Sequence, residues 1–122
     1  MAKPTALQTK EINLAVSLDG NKMPHKLAWS ATDNPVGTAP QPAKAMLLSL
    51  FDEKSKEVIK IDLWTPELQI QEMDRLFYQT LRGLAETYFK ATQNRELANS
   101  LQQFTFYFGQ ETGIIPKPDP ES

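Results

Sequence analysis

The sequence predicts an α+β fold, in which a four-stranded antiparallel β-sheet is followed by two α-helices packed on one sheet face as a two-layer sandwich. Apolar and polar residues alternate over residues 11 to 18, which is the period of a half-buried strand. Two apolar runs, 43 to 52 and 57 to 64, flank a short polar segment and predict an antiparallel hairpin. Beyond Trp64 the apolar residues recur every three or four positions, which is typical of amphipathic helices.

The first two strands are separated by a turn. Asp19-Gly20 ends the first strand, and a second strand is expected from Lys26 to Ala31. The segment from Thr32 to Pro42 holds three prolines, one glycine and almost no large apolar residue. We therefore expect it to be an exposed loop.

The register of the second hairpin follows from its turn. A loop of either two or four residues places Leu50 opposite Ile59, and the other pairs follow by counting along the two strands. One face is then wholly apolar, whereas the other, the outer face, is mixed but far from a water-facing composition. The outer face carries Ala45, Leu47, Ser49, Phe51, Val58, Lys60, Asp62 and Trp64.

Helical spacing predicts a first helix of about six turns, whose apolar stripe runs from Ile70 to Phe89. Asn94 is suited to cap a second helix, and Gly109 is expected to end it. Gly83 lies in the middle of the first helix, where glycine is costly, so we expect it to permit close packing.

One domain is expected over residues 10–110, between a flexible N-terminal arm at 1–9 and a proline-rich C-terminal tail at 111–122. No signal-peptide pattern and no run long enough to cross a bilayer is visible, which favours a cytoplasmic protein without membrane insertion. The net charge is −2, and no segment is basic enough to attract nucleic acid. The absence of cysteine excludes thiolate zinc sites and cysteine nucleophiles.

Few residues are suited to catalysis. His25 is the only histidine, which excludes His-rich metal sites, and an ordinary surface histidine outweighs a catalytic one. The carboxylate pairs Asp52-Glu53 and Glu72-Asp74 lie at a polar turn and on a helix, where solvation explains them. We therefore expect neither enzyme activity nor a cofactor or metal.

The outer face of the second hairpin is the candidate interaction site. Large apolar side chains gather there on the side that helices covering the opposite face would leave open. Asp62 needs a partner within this apolar surface, either Lys60 or a bound chain. The alternative is that the arm, the proline loop or the tail covers the face. The predicted site consists of Leu47, Phe51, Val58, Lys60, Asp62 and Trp64.

Several motifs between residues 10 and 110 resemble one protein family. They are Pro24, Trp29-Ser30-Ala31, Asp33, the run 43–50, Ile61-Asp62-Leu63-Trp64-Thr65, Glu72-Met73 and the run 77–81. This pattern is similar to the gliding motility-associated protein GldC family of the Bacteroidetes. The resemblance implies a small, soluble, cytoplasmic accessory of the gliding machinery without assigned enzyme activity.

The sequence supports two hypotheses for the function. The first is a non-catalytic accessory protein that binds another component of the gliding machinery, or a second copy of itself, through the outer face. The second is a small-molecule-binding domain with a pocket between sheet and helices, in which Tyr78, Tyr88 or Trp29 presents a polar group.

Overall fold

The computed structural model describes residues 6–35 and 37–118, in which five strands precede two helices, so the predicted α+β class is confirmed. The chain forms two compact units, Met1–Leu68 and Gln69–Ser122, the first containing the strands and the second the helices. The predicted packing of the helices on a sheet, and the boundaries of arm, domain and tail, stay predictions. Residues 1–5 of the arm and 119–122 of the tail lie outside the described residues. The elements are β1 (Ile12–Leu18), β2 (Pro24–Ala31), β3 (Gln41–Ala43), β4 (Ala45–Phe51), β5 (Val58–Trp64), α1 (Ile70–Thr92) and α2 (Arg95–Glu111).

The strands form two antiparallel sheets rather than the single four-stranded sheet that the sequence predicts. One sheet has the order β1-β2-β3, and the other is the β4–β5 hairpin. The short strand β3 occupies the edge of β2 that faces away from β1. Only Lys44 lies between β3 and β4, and one residue is too few for a hairpin turn. The chain therefore leaves the first sheet at Lys44 and begins a second one.

β3 lies at the end of the segment predicted to be a loop. Thr32 N–H donates to the Glu11 carbonyl oxygen (3.1 Å), which fixes the alternation of hydrogen bonds between β1 and β2. By that alternation Leu27 and Trp29 direct their main-chain groups towards β3, opposite Ala43 and Gln41. Pro42 lies between these two bonded pairs, so its missing N–H removes no bond from the sheet. A proline-containing edge strand is thus compatible with the segment, although its composition indicates a loop.

The register of the β4–β5 hairpin is confirmed at all seven pairs, from Ala45 opposite Trp64 to Phe51 opposite Val58. Asp52 N–H donates to the Glu57 carbonyl oxygen (2.9 Å) and closes the turn. The Asp52 carboxylate accepts the main-chain N–H groups of Lys54 (3.1 Å) and Ser55 (2.8 Å). These bonds, above all the one from Ser55, stabilise the charged form and lower the pKa of Asp52.

Asp19 has the same role in the turn between β1 and β2. Its carboxylate accepts the N–H groups of Asn21 (2.8 Å) and Met23 (3.0 Å), and these bonds lower its pKa, the one from Met23 most. Lys22 takes the left-handed conformation there (φ 61°). Both hairpins of the strand unit are therefore closed by an aspartate that binds main-chain N–H groups.

α1 begins at Ile70, the first residue of the predicted apolar stripe, and α2 begins at Arg95, directly after Asn94. Glu72 Oε1 accepts the N–H of Gln69, the N-cap residue of α1 (3.1 Å), and Asn94 Oδ1 accepts the N–H of Leu97 (3.1 Å), so the predicted cap of α2 is confirmed. Gln93 ends α1 in the left-handed conformation (φ 61°). No helix among the described residues combines the length and apolar character needed to cross a bilayer.

The buried positions of the two helices are small residues. Ala85, Ala98, Thr105 and Gly109 are buried, whereas the large Phe104 is half exposed. Thr105 Oγ1 donates to the Leu101 carbonyl oxygen (2.8 Å), so its burial leaves no unpaired hydroxyl. Small side chains allow the two backbones to approach closely.

Gly109, not Gly83, is the closely packed glycine, and α2 continues past it to Glu111. A Cβ at Gly109 would lie 2.7 Å from Tyr78 Cε1 in α1 and 2.7 Å from Ile115 Cδ1. Ile115 reaches this position because its N–H donates to the Gly109 carbonyl oxygen (2.9 Å). At Gly83 a Cβ would meet no atom within 4 Å, so the close packing predicted there is wrong.

The two glycines give opposite expectations for substitution by alanine. Gly109→Ala should lower the free energy of unfolding by about 1–3 kcal/mol, because the new methyl group overlaps the Tyr78 ring and Ile115. Gly83→Ala should raise it by about 0.5–1 kcal/mol, because alanine loses less backbone entropy in a helix and meets no neighbour. Urea unfolding of the three proteins checks both, and equal effects of the two substitutions would contradict this packing.

The Asp52 turn predicts a dependence of stability on pH. Because the pKa of Asp52 is lower in the folded chain, its stabilisation is present above its ordinary value of 3.8 and is lost as the pH falls through the lowered pKa. Asp52→Asn should therefore destabilise the chain at neutral pH and become neutral in strong acid, measured by unfolding at both pH values. Glu53→Gln is the control, since its side chain makes no hydrogen bond within the described residues; a wild-type-like pH profile for Asp52→Asn would refute the assignment.

Candidate protein-interaction surface

The outer face of the β4–β5 hairpin brings together the six residues predicted as a site. The confirmed register places Phe51 opposite Val58, Leu47 opposite Asp62, and Ala45 opposite Trp64. Because side chains alternate between the faces of a strand, odd positions of β4 and even positions of β5 share this face. The outer hairpin face is hereafter the surface formed by Leu47, Phe51, Val58, Lys60, Asp62 and Trp64.

Apolar side chains on this face are open to solvent. Phe51 is 68% exposed, Val58 56% and Trp64 54%, while Leu47 is half-buried. Phe51 and Val58 lie at the turn end of the hairpin, and Trp64 lies at its other end. The face therefore presents apolar groups at both ends.

An ion pair lies between these two ends. Lys60 Nζ is 3.1 Å from Asp62 Oδ2, and both side chains are partly exposed. The two residues are two positions apart in β5, so they project from the same face of the strand. Lys60 thus supplies the partner that Asp62 was predicted to need, and the pair forms a charged strip across an otherwise apolar surface.

Residues of the outer hairpin face also direct their main-chain groups outwards at the two edges of the hairpin. Thr65 N–H donates to the Lys44 carbonyl oxygen (2.8 Å), and Asp52 is bonded to Glu57 at the other end. These two bonds fix which opposed residues are hydrogen-bonded, so even positions of β4 bond odd positions of β5. Leu47 and Phe51 in β4, and Lys60 and Asp62 in β5, therefore direct their main-chain groups away from the hairpin.

The opposite face of the hairpin is exposed to a similar degree. Leu50 is 54% exposed, Ile59 52% and Ile61 45%. Sequence reasoning found the composition of both faces. Exposure therefore does not distinguish the two faces, and what does distinguish the outer one is its mixture of aromatic residues and an ion pair.

His25 lines a cleft of the strand unit whose walls are mainly apolar and include Leu27 and Pro42. It is exposed in β2 and lines a space of about 420 Å³ with Lys26, Lys44, Thr65 and Glu67. The Thr65 hydroxyl is buried without a hydrogen-bond partner among the described residues. Sequence reasoning missed Thr65, because nothing in its local pattern indicates burial.

Two of the three aromatic residues named for a small-molecule pocket, Tyr78 and Trp29, line separate clefts, whereas Tyr88 lines neither of these two. Tyr78 lines a cleft of about 240 Å³ in the helical unit, where the Arg82 guanidinium carbon lies 5.9 Å from the centre of its ring. Trp29 lines a cleft of about 260 Å³ in the strand unit, beside the buried Leu27. Each cleft therefore has an aromatic wall, and the two clefts belong to different units.

No group of three or more His, Cys, Asp or Glu residues is placed to hold a metal ion within the described ranges 6–35 and 37–118. Asp19 and Asp52, whose pKa is lowered, both belong to hairpin turns. The hydrogen bonds that form these turns account for the lowered pKa of each carboxyl.

Comparison with known proteins gives one match. No curated protein and no solved structure matches the chain. A family model described as gliding motility-associated protein GldC-like matches residues 24–114, from the first residue of β2 to just beyond the end of α2. The match includes the whole outer hairpin face and both helices, and it spans well over half of the sequence. The chain therefore belongs to the GldC-like family of gliding motility-associated proteins.

Proposed function

We propose that this chain is a cytoplasmic, non-catalytic accessory protein of bacterial gliding motility that binds another protein through the outer hairpin face. The observation that carries the proposal is the Lys60–Asp62 ion pair set between the exposed aromatic residues Phe51 and Trp64. Membership of a motility-associated family supports a place in a larger machinery.

The chemistry of the face suits a protein partner. Aromatic residues supply much of the binding energy at protein interfaces, and Phe51 and Trp64 are the large aromatic groups here. A charged pair within an apolar surface opposes a misaligned partner and so fixes orientation. Phe51 and Trp64 would therefore act as anchors, and Lys60 with Asp62 would set the orientation of the bound partner.

The lowered pKa values of Asp19 and Asp52 have a structural cause. A general acid or base at neutral pH needs a carboxyl whose pKa is raised towards neutrality. The hydrogen bonds to Asp19 and Asp52 lower the pKa of each, which keeps both carboxylates charged in their turns. These shifts belong to hairpin formation rather than to proton transfer.

The test compares two glutamate substitutions in the same strand. Phe51→Glu places a charge on the outer hairpin face at a 68% exposed position, and Leu50→Glu places the same charge on the opposite face at a 54% exposed position. Each purified variant is used, beside wild type, to capture proteins from a lysate of the source organism. We expect Phe51→Glu to reduce the recovered partner about tenfold or more, and Leu50→Glu to retain it.

Circular dichroism and thermal unfolding establish that both variants are folded before capture. A partner retained by Phe51→Glu, or lost equally from both variants, would contradict binding through the outer hairpin face. Thermal stabilisation of wild type by a small molecule, with no protein recovered, would instead favour the small-molecule hypothesis and its Tyr78 or Trp29 clefts.

A further inference from the structure

The outer edge of β1 is an unused main-chain hydrogen-bonding edge. Among the described residues β1 pairs with β2 alone. The bonded pair of Glu11 and Thr32 places the odd positions of β1 against β2. The N–H and carbonyl groups of the even positions therefore point outwards, at Ile12, Leu14, Val16 and Leu18.

These outward-bonding residues carry the apolar side chains of the strand. Ile12 is 74% exposed, Leu14 43%, Val16 38% and Leu18 55%, and all four side chains project from one sheet face. Residues directly opposite each other in an antiparallel pair share a face. A strand added to this edge must therefore carry apolar side chains at its own bonding positions.

The other strands limit further pairing in ways that β1 does not. β3 has three residues and contains Pro42, and β5 places Lys60 and Asp62 at outward positions. The first four residues of β4 are half-buried. β1 is exposed along all seven residues and contains neither proline nor a charged residue, two features that keep edge strands from pairing. Its register against β2 is regular from Ile12 to Ser17 and shifts only between Ser17 and Leu18.

We propose that β1 pairs antiparallel with β1 of a second copy of this chain. β1 itself has the alternation that the edge requires, since its bonding positions are its apolar positions. A two-fold axis at Ala15 places Leu14 opposite Val16 of the second copy and Ile12 opposite Leu18, so all four outward residues of each strand are bonded. The result is one six-stranded sheet whose four central strands share a continuous apolar face, with no opposed like charges between residues 12 and 18.

This interface is independent of the outer hairpin face, which lies on the other sheet. β1 also precedes residues 24–114, over which the family model matches. Loss of dimerisation and loss of partner capture are therefore separate outcomes, produced by different substitutions.

The experiment separates the Leu14 N–H from the Leu14 side chain. Sedimentation velocity is measured from low to high micromolar concentration for wild type, Leu14→Pro and Leu14→Ala. Both variants lose the leucine side chain, but only proline removes the outward N–H, and proline is tolerated where an edge N–H faces solvent. We expect wild type to dimerise and Leu14→Pro to weaken the dimer about tenfold or more relative to Leu14→Ala.

Amide hydrogen exchange of wild type supplies a second measurement that needs no substitution. Protection of the Leu14 and Val16 amides should rise with protein concentration, whereas protection of Asn13 and Ala15, bonded within the sheet, should not change. A wild type that stays monomeric overturns the proposal and leaves the edge to a strand of a different protein. A dimer with unprotected Leu14 and Val16 amides overturns it as well.

Discussion

The register of the β4–β5 hairpin is the constraint on which the outer hairpin face depends. It is fixed at one end by the bond from Asp52 N–H to Glu57 and at the other by the bond from Thr65 N–H to Lys44. A shift by one residue would move every side chain of one strand to the opposite face. The Asp52 carboxylate resists such a shift, because it binds two main-chain N–H groups within the turn.

Sequence patterns were sufficient for those parts of the fold that depend on neighbours along the chain. The hairpin register follows from strand alternation and from a turn of even length, and the cap at Asn94 follows from its side chain and position. The same alternation and turn were sufficient to predict the composition of the outer hairpin face. These elements are all defined by local interactions. Either the interacting residues lie a few positions apart, or a short turn between two strands fixes which residues pair.

The parts that sequence reasoning missed depend on contacts between distant residues. Gly109 is crowded by Tyr78 from α1, and this contact leaves no periodic signal in either segment. β3 exists because Leu27 and Trp29 have free main-chain groups to offer it, whereas its own composition indicates a loop. The division into two sheets follows from β3, since that strand takes the edge of β2 before β4 begins.

Two outer edges of the strand unit, those of β5 and β1, offer the same main-chain groups but different side chains. In β5 the outward positions carry Lys60 and Asp62, so a strand added there would have to accommodate an ion pair that is already formed within the chain. In β1 the outward positions carry only aliphatic side chains, so an added strand gains main-chain bonds and apolar contact together. This difference depends on which alternate residues of each strand are bonded to the neighbouring strand. The remaining residues direct their N–H and carbonyl groups outwards, and their side chains set the character of the edge. The charged edge therefore favours recognition by side chains on its face, and the uncharged edge favours recognition by strand pairing. One small unit can thus support two associations that do not compete for the same atoms.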